Sequence, residues 1–118
     1  MSSDKLVLCG SSSYEQKFYI NEEFHNLPKT IKEELQIMCV LFTEDVGGIL
    51  TLEFEEDGTL EFTVEADEGD LLFDEIGSVL KIKQLREEKK ELLESVELFY
   101  KICFLNEDVG DLLNQEKE

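Results

Sequence analysis

Between Lys32 and Lys81 the chain has no lysine or arginine, and in the whole sequence there is one histidine and no Cys-x-x-Cys pair. The last two absences argue against a zinc centre, which needs about four Cys or His ligands, usually in close pairs. No apolar run reaches the roughly 18 residues of a membrane-spanning helix. The N-terminus carries Asp4 and no long apolar run, so no secretory signal is expected. Glycine-rich phosphate loops are also missing, since "VGGIL" closes a helical pattern and no Lys-Ser/Thr follows it. Internal repeats and low-complexity linkers are absent.

Acid is abundant. The formal charge is 11 − 29 = −18, and fifteen Asp and Glu fall in the base-free window. Such a surface disfavours direct nucleic-acid binding and docking on anionic membranes. Five of the eleven basic residues follow together, at Lys81, Lys83, Arg86, Lys89 and Lys90. Apolar residues make up 42% of the 118 positions, enough for one globular domain spanning 1–118. Its ordered core is expected at about 5–105, with a frayed tail over 106–118. Cys9, Cys39 and Cys103 are odd in number and widely spaced, which fits a reducing, cytoplasmic compartment. Cys39 and Cys103 read as small buried hydrophobes.

The pattern predicts an α+β fold of order ββαββα: a four-stranded antiparallel sheet with two helices on one face. Residues 5–9 and 14–20 read as strands broken at "GSSS". A helix over 28–45 follows, with Asn26 as N-cap and Pro28 in its first turn. Its apolar face is Leu27, Ile31, Leu35, Met38, Cys39 and Phe42. The second half of that helix is apolar nearly all round, so cover on more than one side is expected. Gly47 is placed to end it with a left-handed backbone.

Leu50, Leu52 and Phe54, then Leu60, Phe62 and Val64, alternate with polar residues. A three-residue loop, Glu56-Asp57-Gly58, pairs Phe54 with Leu60, Leu52 with Phe62 and Leu50 with Val64. It also puts Gly58 where a type I turn plus bulge needs a left-handed residue, so register and turn chemistry agree. The same register sets Glu53 opposite Glu61 on the outer face, a like-charge pair costing roughly a few tenths of a kcal/mol to 1 kcal/mol. From 74 to 104 a stripe of Ile76, Leu80, Leu85, Leu92, Val96, Phe99 and Cys103 reads as a long helix. Unbroken it would span about 46 Å, against about 35 Å for the domain. Either it breaks near Gly77, or one end overhangs and pairs with a second chain.

Chemistry-bearing constellations are weak. An EF-hand started at Glu53 gives Glu53, Glu55, Asp57 and Gly58, but its twelfth position is Val64, which cannot coordinate. Asp67, Glu68 and Asp70 in "EADEGD" could bind a cation loosely. Cys9 with His25 is the sole candidate nucleophile and base, Cys9 standing at a strand end where it could be exposed. A hydrolase or metal-dependent enzyme is the least favoured class, and no catalytic residue, cofactor or metal is expected.

Two readings remain. In the favoured one a non-enzymatic interaction or regulatory protein presents an acidic sheet face to a basic protein partner. That partner is a cationic protein or, if the acids mimic phosphates, a nucleic-acid-binding protein. The binding set is Glu53, Glu55, Glu61, Glu65, Asp67, Glu68 and Asp70. The alternative is a structural homodimer paired through the long C-terminal helix. Against both stands a merely solvated face, or one that neutralises the Lys81–Lys90 segment.

The segments "YEQKFYINEEF", "LPKTIKEELQIMCVLFTEDVGGI" and "LREEKKELLESVELFYKICFL" resemble an uncharacterised family of small acidic proteins from Gram-positive anaerobes. The resemblance covers roughly residues 5–113. It implies a stand-alone domain and a cytoplasmic setting, and it implies no activity and no site residue.

Overall fold

A computed structural model describes residues 5–105. The expected tail at 106–118 lies outside the described residues. Four strands, β1 (Leu6–Ser12), β2 (Lys17–Ile20), β3 (Ile49–Phe54) and β4 (Leu60–Glu65), form one antiparallel sheet in the order β2-β1-β3-β4. Three helices accompany it, α1 (Lys29–Val46), α2 (Glu75–Glu88) and α3 (Lys90–Cys103), giving the order ββαββαα. The architecture is the expected α+β sheet with its helices on one face.

The β3–β4 hairpin has the predicted register, Leu50 with Val64, Leu52 with Phe62 and Phe54 with Leu60. Glu55 N–H donates to Thr59 O and Gly58 N–H to Glu55 O, closing the loop, and Gly58 takes φ 93°. An L side chain is strained there, which explains the glycine. Leu50, Leu52, Phe54 and Leu60 are buried together with Leu35, Met38, Cys39 and Phe42 of α1. An aromatic group closes the far end of the core: Phe54 stacks on Tyr100 at 4.2 Å and on Phe24 at 5.5 Å.

The first hairpin departs from expectation. "GSS" continues β1 instead of breaking it, and the turn lies beyond, at residues 13–16, where Gln16 takes φ 53°. The tertiary environment overrides the turn-like composition. A Cβ on Gly10 would lie 2.6 Å from the Tyr19 hydroxyl and 2.7 Å from Leu50 O, so the glycine makes room for a neighbouring strand and a ring. Ser11 is buried, donates to Cys39 O at 2.8 Å and meets the Thr43 hydroxyl at 3.1 Å, so its polar atom is satisfied inside the core. The β1–β3 register shifts between Val7 and Cys9, a bulge.

The helix starts are also corrected. Pro28, not Asn26, occupies the α1 N-cap position. The capping side chain is Asn21, whose Oδ1 accepts from Glu23 N–H at the start of a 3-10 turn, Glu22–Phe24, that the periodicity did not reveal. In the second half of α1, Ile37 and Leu41 are exposed, so the expected all-round cover is not there. The long helix does break, but at Lys89 and not near Gly77. Gly77 stands in the first turn of α2, where its N–H donates to the Asp74 carboxylate at 2.8 Å. Of the proposed stripe, Leu85, Leu92 and Val96 are buried and Phe99 is half-buried, whereas Ile76, Leu80 and Cys103 are exposed.

Candidate functional site

Strand alternation fixes where the acids go. With Leu52, Phe54, Leu60 and Phe62 turned to the helices, Glu53, Glu61 and Glu65 project from the opposite face. Glu53 and Glu61 are direct cross-strand partners, as predicted, and Glu53 also accepts from the Thr63 hydroxyl at 3.1 Å. The hydroxyl offsets part of the repulsion between the two carboxylates. Glu55, at the end of β3, is 3.5 Å from the Lys5 ammonium. With Glu56, Asp57, Thr59 and Glu61 it walls a shallow dish at the hairpin tip. Thr59 N–H donates to Asp57 at 2.9 Å and holds its carboxyl below the usual range.

The acids occupy only the β3–β4 half of that face. The β1–β2 half presents Val7, Ser12, Lys17 and Tyr19, read from the same register. Two of the bases that follow the acidic window, Lys81 and Arg86, are engaged on the helix side. Lys81 pairs with Asp45 of α1 at 3.0 Å. Arg86 lies over the Phe62 ring at 4.9 Å and donates to Leu60 O at 3.3 Å. Neither neutralises the glutamates of the outer face within one chain.

Asp67, Glu68 and Asp70 are separate from that set, on the loop between β4 and α2. There the Tyr14 hydroxyl donates to Asp70 at 2.5 Å and accepts from Asp67 N–H at 2.8 Å. The hydroxyl, helped by Leu72 N–H, holds the Asp70 carboxyl below its usual value, and the carboxylate in turn raises the Tyr14 phenol. Asp70 is therefore a structural tie between the first hairpin and the loop leading into α2. Among the described residues no three His, Cys, Asp or Glu side chains are grouped as metal ligands would be.

Cys9 is fully buried, contrary to its expected exposure, with its sulfur 4.0 Å from that of Cys39. Contact with Cys39 and burial push its thiol well up, away from the thiolate a nucleophile needs. His25 is on the surface, its Nδ1 3.0 Å from Glu22 O. The structure thus engages Cys9 and His25 with other partners.

A family profile of unknown function spans residues 5–108, covering the sheet, the three helices and the acidic hairpin together. The chain belongs to DUF6145, a family of unknown function. No curated protein and no solved structure matches the chain. Membership in DUF6145 carries no assigned residue, so the surface itself is what can be interpreted.

Two features of this DUF6145 member escaped sequence reasoning. An open cleft of about 880 Å³ runs between the β1–β2 turn and the C-terminal half of α1, lined by Tyr14, Phe18, Gln36, Val40, Glu44 and Leu72, among others. Beside it Leu71 and Leu72 are 94% and 92% exposed, and Ile76, Val79 and Leu80 of α2 are 76%, 63% and 62% exposed. The signal was available: α2 has apolar residues at Ile76, Val79 and Leu80 and again at Ile82 and Leu85, on opposite sides of the helix. None of the described helices is long and apolar enough to cross a membrane.

Proposed function

We propose that this protein is a non-enzymatic interaction module that holds a basic protein partner against the acidic half of its sheet. The observation that carries this reading is the pairing of Glu53 with Glu61, flanked by Glu65 and Glu55, on a face with no helix over it. Opposed like charges cost the isolated chain stability. A cationic partner turns that cost into attraction, and the field of the base-free window steers its approach. The same field repels nucleic acid and anionic membranes, so the ligand is a protein. Three free thiols support a reducing setting, and we place the module in the cytoplasm, as its resemblance to small acidic proteins of Gram-positive anaerobes implies. The helix side supports a non-catalytic role, since it leaves Cys9 buried among apolar neighbours.

The test is affinity capture from native lysate, quantified by mass spectrometry, with the wild-type chain and the fourfold variant E53K/E55K/E61K/E65K. The expected result is a basic protein retained by the wild type and lost by the variant. Retention of the same protein by both would remove the acidic face as the site. In the variant lysine faces lysine where glutamate faced glutamate, so the like-charge cost persists and the thermal midpoint should stay close to that of the wild type.

A further inference from the structure

Helix α2 buries Ser78 and Leu85 against the rest of the molecule. Its other side presents Ile76, Val79 and Leu80, more than half exposed, in steps of three and four residues. Lys83 continues that row one turn beyond Val79, and Glu75 stands one turn before it, both exposed. An apolar row flanked in this way marks an interface more often than a solvated surface.

The charges say what covers it. Glu75 and Lys83 lie four residues on either side of Val79 and have opposite signs. A row that is acidic at one end, apolar in the middle and basic at the other complements its own reversed copy. A uniformly basic partner would meet Lys83, and a uniformly acidic one would meet Glu75 and Asp74. Antiparallel pairing also opposes the two helix dipoles favourably. We propose that α2 is the contact of a twofold homodimer, with the axis beside Val79, so that each Glu75 faces Lys83 of the second copy and each Ile76 lies beside the second copy's Leu80. Self-complementarity of this kind is what an isologous interface requires. The charge of −18 on each copy opposes association, but at about 0.15 M salt the screening length is about 8 Å, so local pairs outweigh distant repulsion. Because α2 packs on the helix side, the dimer leaves both acidic sheet faces open. The inference stands independently of the acidic-face reading.

The experiment is sedimentation velocity on the full chain at micromolar concentration, with V79E, K83E and the swap E75K/K83E. The wild type should sediment as a dimer. V79E, which sets carboxylate against carboxylate at the axis, should be monomeric with an unchanged circular dichroism spectrum. Should it unfold, V79S is read in its place. K83E should weaken the dimer about tenfold, the swap restoring it, as expected for two exposed ion pairs turned repulsive. A monomeric wild type, a dimer indifferent to the Val79 substitutions, or a swap that fails to restore K83E would overturn the proposal. So would a monomer that uses Val79 instead to bind phosphatidylcholine vesicles or a cationic amphipathic peptide.

Discussion

Helices α2 and α3 are each 14 residues long and meet at Lys89, yet they are stabilised by opposite means. On α3 most apolar residues lie on one side, and Leu92, Leu93, Val96 and Tyr100 are buried. It has no side-chain N-cap and relies on tertiary packing. In α2 the apolar residues are divided between two sides, with only Ser78 and Leu85 fully buried. It carries its own end signals instead: Asp74 caps it, Glu75 is in the first turn and Arg86 in the last, each sign matched to the helix dipole. The break at Lys89 follows from this difference. "REEKKE" has no apolar residue to hold it in place, so the chain can bend there and bring the α3 stripe onto Phe54 and Leu60. A straight helix would carry that stripe past the sheet.

The largest way to break the contrast is on α3. Tyr100 stacks between Phe54 and Phe104, 4.2 and 5.3 Å from their ring centres. Tyr100→Ala should cost about 3 kcal/mol or more, read from the denaturant midpoint, because it removes a large ring from a filled core. A loss under about 1 kcal/mol, the range of a surface site, would mean that α3 is not held by packing.

The next effect falls on α2. Asp74→Ala removes the acceptor of the Gly77 N–H and should cost about 1 kcal/mol. Amide hydrogen exchange should locate the loss: protection falls in α2 and holds in α3. Equal loosening of both helices would show that they fold as one unit despite the break.

A smaller effect sharpens the contrast at the entry to α2, where Tyr14 and Asp70 tie the preceding loop to the first hairpin. The Asp70 carboxyl is lowered by the tie, so its contribution is present above the ordinary carboxylate range and is lost as pH falls through the folded value. The Tyr14 phenol is raised, so its contribution is present below the ordinary tyrosine range and is lost as pH rises through the folded value. Tyr14→Phe removes both. The difference in melting temperature between wild type and variant should be greatest near neutrality and shrink toward acid and toward alkali. A difference independent of pH would mean that the hydroxyl acts only through Asp67 N–H.

How much of this was legible in the sequence follows the same divide between local and tertiary causes. The β3–β4 register could be read because side-chain alternation and the Gly58 backbone gave one answer independently, and with it came the Glu53–Glu61 pair. The first hairpin could not be read: Gly10 and Ser11 look like turn residues, and only Tyr19, Leu50 and α1 make them strand residues. The exit of α2 was hidden because every residue of "REEKKE" is a good helix former. The exposed row was masked by a competing signal: Ile76 and Leu80 continue the period of a stripe that is buried farther on, although Ile82 and Leu85 mark a second apolar side. In the acidic set, the glutamates of β3 and β4 were placed correctly by alternation. The tie of Asp70 to Tyr14, 56 positions away in sequence, had no local signature.

The smallest expected effect distinguishes the two helices best. Ile76 and Tyr100 are both large apolar residues on helices of one length, so composition predicts similar losses on truncation. Exposure predicts otherwise. Ile76→Ser in dilute solution, where the chain is monomeric, should change stability by no more than about 0.5 kcal/mol, because little apolar surface leaves water there on folding. Raising the protein concentration should separate the two variants further. The wild type should gain thermal stability with concentration, since a second copy binds the folded state alone. I76S should gain none, while Tyr100→Ala should keep the gain and start from a lower baseline. A concentration-dependent gain that survives in I76S would place the interface away from α2.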